Sequence, residues 1–410
     1  MKGFDFFLRN SHFTWVWMGQ ILSQSGARMV QMAMVWWIVS HLGVDAGKWT
    51  GLFMVAVAIP PLLFSRFIGK CVDTFSSSRI LVLTDSCTSV LLGCSSLIVK
   101  ERDASLALLL ATGFLVACCQ SLIDPALNKS LYELIPKNDR YPEDQENGVA
   151  LFATTQSLSN FGGAVLGAVT IGVMGMSQIL LMACLFYFTA SRFSKKAVFF
   201  SSTIDSPSKG DSGWEFLKRF GLLKKMVIGF GVVNFFTVPT LVILPLYTKK
   251  ILGADSITLG ALEGALWVGL FAGALGSRWV PESVDKLVIA GVCLLVLGIT
   301  FCIPAFAVQS VLYGTMLFVS GLVLGVNNVK FLSLFQQVVP AEVKGRFFAL
   351  LQYLIGASFP LGYFVFGWLC DLMSVRQTCL VQGMGVLLVS HYFWFLRRRI
   401  STGELSWESK

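Results

Sequence analysis

Twelve apolar runs, most of them about 20 residues long or more, follow one another along this 410-residue chain with little between them. A run of that length spans the hydrocarbon layer of a bilayer when wound as an α-helix. Inside a bilayer only helices and closed barrels satisfy their own backbone groups, so runs this long and continuous point to helices. They fall at about 12–40, 48–67, 80–99, 104–123, 148–171, 175–192, 226–247, 256–277, 286–307, 311–335, 347–370 and 377–396. The composition, 55% hydrophobic and only 13% charged, excludes an ordinary soluble domain.

The first run carries the most information. Its residues are mainly Trp, Met, Val, Ile, Leu and small side chains, but Gln20, Gln24, Arg28 and Gln31 recur in steps of four, four and three. At about 100° per residue these four fall within an arc of roughly 80°. An unpaired arginine near a span centre costs roughly 2.5–3.5 kcal/mol on insertion scales. The polar face must therefore look onto protein or water, and it is the expected substrate pathway. Arg28 can neutralise an internal acid or offer a fixed cation to an anionic substrate.

Placing both termini in the cytoplasm puts Lys and Arg on the inside by about four to one, as the positive-inside rule asks. An odd number of spans would break that bias. The net charge of +9 is thus explained by loop placement, and no nucleic-acid partner is expected. Ten cysteines lie mostly within apolar runs without metal-ligand spacing, and read as small packing residues. The amino-terminal run is too long for a signal-peptide core and is expected to stay as the first span.

One long polar interruption, 193–225, holds the stretch Ser-Ser-Thr-Ile-Asp-Ser-Pro-Ser-Lys-Gly and then an amphipathic segment from Trp214 to Lys225. It divides the chain into a six-helix bundle at 1–192, a linker at 193–225 and a second six-helix bundle at 226–410. The halves echo each other: Leu131-Tyr-Glu-Leu-Ile-Pro136 follows the fourth run and Phe335-Gln-Gln-Val-Val-Pro340 the tenth. Such an echo points to a duplicated unit. Glycines four apart (Gly163 and Gly167, Gly260 and Gly264, Gly269 and Gly273, Gly321 and Gly325) predict close helix crossings. Pro60–Pro61, Pro239, Pro245, Pro304 and Pro360 predict kinks.

Five ionisable residues fall in or near spans. Asp85 and Glu263 each lie about two turns in and are the coupling candidates, since a carboxylate in an apolar setting can take up and release a proton near neutrality. Glu263 has small neighbours that equally suit an ion pair with Arg28. Lys330 and Asp371 lie near span ends and are expected to snorkel or to be loop residues. The three histidines, His12, His41 and His391, stand apart, and neither a catalytic cluster nor a phosphate-binding loop occurs, so no enzyme, cofactor or metal is expected.

Gly69-Lys-Cys-Val-Asp73-Thr-Phe-Ser-Ser-Ser-Arg79, between the second and third runs, resembles the loop G-x-x-x-D-(R/K)-x-G-x-(R/K)-(R/K) of the major facilitator superfamily. Thr74 and Ser76 depart from that pattern. Gly19-Gln20 with Gln31-Met32-Ala33, Asp124-Pro-Ala-Leu-Asn128 through Pro136, and Pro340-Ala-Glu342-Val-Lys344-Gly345-Arg346 resemble the macrolide-efflux and enterobactin-exporter branch. The resemblance implies an all-α major facilitator fold of twelve transmembrane helices in two pseudo-symmetric bundles, in a bacterial inner membrane. It implies alternating access, proton-driven export of small amphipathic compounds, and a monomer in the lipid bilayer. It also implies a conformational gate in which Asp73, with Gly69 and Arg79, meets the segment of Glu342, Gly345 and Arg346. The arginine that many proton antiporters carry in the fourth span is missing from Leu115-Val-Ala-Cys-Cys-Gln120, and the Gly-Pro-rich signature of the fifth span is eroded to Asn160-Phe-Gly-Gly163. The alternatives are an importer or facilitator of an anionic metabolite, siderophore or lysophospholipid, and a non-transporting membrane receptor or scaffold on the same fold.

Overall fold

The computed structural model describes residues 6–7, 9–102, 104–135, 143–199, 221–281, 283–339 and 341–401. Among them there is no strand. The helices are α1 Ser11–His41, α2 Ala46–Ala58, α3 Pro60–Leu63, α4 Ser65–Thr74, α5 Ser77–Arg102, α6 Leu106–Gln120, α7 Ile123–Leu134, α8 Glu143–Val173 and α9 Met176–Lys196. They continue as α10 Gly221–Thr237, α11 Thr240–Lys250, α12 Ser256–Gly276, α13 Lys286–Cys302, α14 Ser310–Val338, α15 Ala341–Leu372 and α16 Val375–Ser401. The linker's residues 200–220, including Trp214, lie outside the described residues, as do Pro136 and Pro340.

Among the described residues ten segments are long and apolar enough to cross a membrane, and Leu158–Val173 within α8 is a shorter apolar one. The 31-residue α1 is not among the ten, although its length, about 46 Å at 1.5 Å per residue, is ample. Its polar stripe lowers its mean hydropathy. Several runs divide into shorter helices. The second breaks at Ile59, where Pro60 opens α3, and again at Phe64. The seventh breaks before Thr240, with Pro239 as the N-cap of α11. Pro304 stands in a short 3-10 turn after α13. Pro245 and Pro360, in contrast, lie inside continuous α11 and α15. There each proline removes one backbone donor and the neighbouring turns hold the helix.

The described residues form two compact units, Met1–Ile38 with Ala56–Ser206 and Val39–Val55 with Pro207–Lys410. In the first, α5 shows how sequence sets the packing. Leu81, Asp85, Thr88, Leu92 and Ser95 are buried at helical spacing, while Leu83, Val90 and Leu97 on the other side are more than 60% exposed, the face a lipid-bathed helix presents. Hydroxyls staple α5 to α9: Ser86 and Ser191 Oγ are 2.7 Å apart, and Ser89 Oγ donates to the Cys184 carbonyl at 2.9 Å. Phe13, Ile80, Leu81, Leu127, Leu131 and Ile135 belong to this unit's core.

In the second unit α12 and α14 meet along a glycine seam. A Cβ on Gly269 or Gly273 would collide with the backbone of Phe318 or Leu322, and one on Gly321 or Gly325 with that of Leu266 or Leu270. Phe230, Phe331, Phe335, Phe347 and Phe393 form an aromatic cluster nearby, with Phe331 and Phe393 centroids 5.2 Å apart. The same unit includes α2, whose Gly47 and Gly51 pack on Gly367 of α15 at backbone distance: a Cβ on Gly51 would stand 2.6 Å from the Tyr363 carbonyl oxygen.

Candidate functional site

In the first unit the sequence's polar stripe is buried where it matters most. Gln20 has no exposed surface and Arg28 only 7%, while Gln24 and Gln31 are half-buried. Arg28 Nη1 donates to Gln31 Oε1 at 2.8 Å, the i to i+3 contact that their spacing allows. α8 passes close by because Gly163 has no side chain: a Cβ there would lie 2.6 Å from Arg28 Cβ and 2.8 Å from the Ser25 carbonyl oxygen. One turn on, Gly167 faces Met29 and Met32. The stripe is thus one wall of a helix pair in which glycine makes room for the arginine stem.

Of the coupling candidates, Asp85 lies in the first unit and is completely buried, and Glu263 lies in α12 of the second with 3% exposure. The gate residues Gly69, Asp73 and Arg79 are exposed. Asp73 is the last residue but one of α4, whose end is held by Lys129: its Nζ donates to the Val72 carbonyl at 2.7 Å and to the Phe75 carbonyl at 3.0 Å. A cation on the last carbonyls of a helix is favoured by the helix dipole. Glu342, Gly345 and Arg346 have helical backbone in the first turns of α15, and their side chains lie outside the described residues.

Two residues depart from expectation. Lys330 is buried. It is 6% exposed, and its Nζ donates to the Val280 carbonyl at 3.0 Å, just beyond the short turn that follows α12. Asp371 is not a loop acid either. It sits in the last turn of α15 and accepts the amides of Gly47 at 2.9 Å and Lys48 at 2.6 Å, with Lys250 Nζ 3.7 Å away. Gly47 and Lys48 open α2, so this carboxylate caps a helix N-terminus from a distant part of the chain.

Sequence reasoning missed a contact beside Asp85. Tyr187 on α9 is fully buried, and its hydroxyl oxygen accepts Gln120 Nε2 at 2.8 Å. A tyrosine inside Leu-Phe-Tyr-Phe carries no positional signal. Gln120, the one amide at the end of an apolar helix, was the only trace. All ten cysteines are free thiols; Cys293, Cys370 and Cys379 are buried, and Cys87 and Cys94 are exposed.

These features define a multi-pass α-helical membrane protein with buried polarity inside its bundles. The sequence matches the Major Facilitator Superfamily family model over residues 16–363, and the chain belongs to that family. It is a transporter of small molecules in a lipid bilayer and not an enzyme. No curated protein matches it. Among solved structures it is similar to a bacterial homolog of the human lysosomal transporter Spinster in an inward-facing, occupied conformation. That likeness has a TM-score of 0.77 at 13% identity, over 95% of this chain and 97% of the other. A nucleoside transporter, NupG, gives a TM-score of 0.73 at 10% identity over 93% and 99%. The POT family transporter PepTSo gives 0.69 at 11% over 96% and 98%. Identities this low speak to the fold alone.

Proposed function

We propose that this chain is a proton-coupled exporter of small amphipathic compounds, of the macrolide-efflux and enterobactin-exporter branch. In this reading residues 1–192 and 226–410 rock against each other about the 193–225 linker, with both termini in the cytoplasm of a bacterial inner membrane. Gln20, Gln24, Arg28 and Gln31 line the substrate pathway, Asp85 and Glu263 are the coupling acids, and Gly69, Asp73, Arg79, Glu342, Gly345 and Arg346 form the cytoplasmic gate. The observation that carries it is a buried arginine bonded to Gln31 on the polar face of α1, in a family of transporters. Burying a guanidinium is costly unless it is paired or faces a water-filled cavity, and such residues mark substrate or ion pathways.

A second reading, import or facilitated movement of an anionic compound, is favoured by the same residue, because Arg28 keeps its charge at any physiological pH. Purified protein in proteoliposomes, screened with amphipathic cations and anions under both pH gradients, separates the two. Proton flux that depends on an amphipathic compound supports the first, and anion flux without proton movement the second. Arg28→Gln should weaken an anionic substrate's apparent affinity at least tenfold. Asp73→Asn should change the cytoplasmic labelling of cysteine reporters, and unchanged labelling and transport would remove Asp73 from the gate.

A further inference from the structure

In the second unit α13 and α16 pack antiparallel. A Cβ on Gly291 would stand 2.7 Å from Trp394 Nε1 and one on Gly298 2.6 Å from Leu387 Cγ, while Ser390 Oγ donates to the Gly291 carbonyl at 2.7 Å. Val292 and Ile299 each follow one of these contact residues on α13 by a single position, and Leu388, His391 and Phe395 do the same on α16. All five are exposed. On antiparallel helices that offset turns both stripes to the same side, so they flank one furrow on the outside of the helix pair. Four of the five are apolar, as acyl chains require.

One end of the furrow is strongly basic. α16 finishes with Arg397, Arg398 and Arg399, and Lys286 opens α13. The Tyr392 hydroxyl donates to the Lys225 carbonyl at 3.1 Å, which brings Lys224 and Lys225 at the start of α10 alongside. Against these six, one acid, Asp285, stands at the described ends of the three helices. It accepts the Leu287 amide at 2.9 Å and pairs with Arg397 at 3.1 Å, tying the end of α16 to the start of α13. A basic cluster just beyond a span end attracts anionic lipid headgroups.

Side-chain positions set this cluster apart from an ordinary solvated helix end. An arginine at the end of a span normally stretches outward to water. The Arg399 guanidinium instead lies over the Phe395 ring, 4.6 Å from its centroid, and the Arg397 guanidinium lies over the Trp394 ring at 5.9 Å. Both fold back toward the middle of the span by about one turn. His391 is exposed between Leu388 and Phe395 on the same stripe, where acyl chains would otherwise meet its imidazole. It lies about 6 Å deeper than Phe395 at 1.5 Å per residue. A cation at the level of Phe395 and a hydrogen-bonding ring one turn deeper follow the order in which a phospholipid presents its phosphate and then its ester oxygens.

We propose that the α13–α16 furrow binds one anionic phospholipid. Its phosphate meets Arg398 and Arg399, since a guanidinium offers a phosphate two parallel donors. His391 donates to an ester oxygen, and an acyl chain lies along Val292, Ile299 and Leu388. A zwitterionic headgroup brings a cation of its own against the basic cluster and is disfavoured. The lipid is a bound partner on the outside of the second unit and not cargo, so the inference stands apart from the direction and coupling of transport.

The test is native mass spectrometry of the delipidated full chain, offered dioleoyl phosphatidylglycerol or dioleoyl phosphatidylcholine in detergent. The wild type should retain one phosphatidylglycerol in preference to phosphatidylcholine by roughly fivefold or more. Arg399→Gln should remove most of that preference. His391→Leu leaves the arginines in place and suits an acyl-facing stripe, and it should weaken phosphatidylglycerol retention too. Lys195→Gln, the same loss of charge at the exposed end of α9, should change nothing. Equal retention of the two lipids by the wild type overturns the proposal, as does wild-type retention in either Arg399→Gln or His391→Leu. A Lys195→Gln effect as large as that of Arg399→Gln overturns it in favour of unspecific attraction. Glycerol 3-phosphate, which has the phosphate but no acyl chain, should not compete; displacement of phosphatidylglycerol at equal concentration overturns the furrow.

Discussion

Gly163 stands against the stem of Arg28: a Cβ at this glycine would come within 2.6 Å of Arg28 Cβ. Close approach here fixes both the spacing of α1 and α8 and the direction of the one arginine in the polar stripe. Gly163→Ala should therefore cost about 1–3 kcal/mol of stability, since neither the arginine stem nor the Ser25 carbonyl can withdraw without moving a helix. Gly167→Ala meets the flexible end of Met32 at 3.0 Å and should cost less. Unfolding in detergent measures both, and equal losses would remove the special role of the Arg28 contact.

The glycine seam between α12 and α14 is tighter still, because backbone faces backbone. Gly321→Val should prevent the two helices from approaching and lower the yield of folded protein more than any single substitution in the first unit. Size-exclusion profiles and melting curves read this, and a Gly321→Val protein that melts like wild type would contradict it.

Asp371 holds the start of α2 through the amides of Gly47 and Lys48. Asp371→Ala should cost about 0.5–2 kcal/mol, the range for a lost helix N-cap. The local signature is faster amide hydrogen exchange at Gly47 and Lys48. Asp371→Asn, which keeps one acceptor oxygen, should give an intermediate rate.

Outside the spans, the Thr258 amide and hydroxyl donate to Asp255, at 2.9 and 2.8 Å, and hold its carboxyl below the usual carboxylate range. A carboxyl depressed by folding stabilises the native state fully above its unfolded value, and that contribution disappears as pH falls through the folded value. Asp255→Ala should thus lower the melting temperature slightly near neutrality, and the difference from wild type should close below about pH 4. The side chain is almost fully exposed, so water screens most of the effect and a shift on the order of 1 °C is expected. A difference that persists or grows in acid would show that the cap does not act through its charge.

Much of the fold is legible because a bilayer leaves so few options. The observed helix ends lie within several residues of the apolar runs, α7 and α14 end at matching points of the two echoed segments, and Gly163 and Gly167 of α8, Gly269 and Gly273 of α12, and Gly321 and Gly325 of α14 lie on close crossings. Less could be read where polarity is satisfied at long range. Asp371 and Lys330 look like interfacial residues by position, yet they bond to backbone groups brought in from elsewhere in the chain. The partnership of Tyr187 with Gln120 depends on two helices separated by α7 and α8, which no local pattern encodes. Pro60, Pro239 and Pro304 stand at breaks between helices. At Pro245 and Pro360 the helix carries on.

Val39–Val55 belongs by order of synthesis to the early part of the chain, yet it packs within the later unit. On the ribosome this stretch must therefore wait for helices made hundreds of residues afterwards before Gly51 finds Gly367. Two fragments severed within 200–220 and produced side by side would each be incomplete: the early one would carry a tongue whose socket is on the other, and complementation between them would begin there.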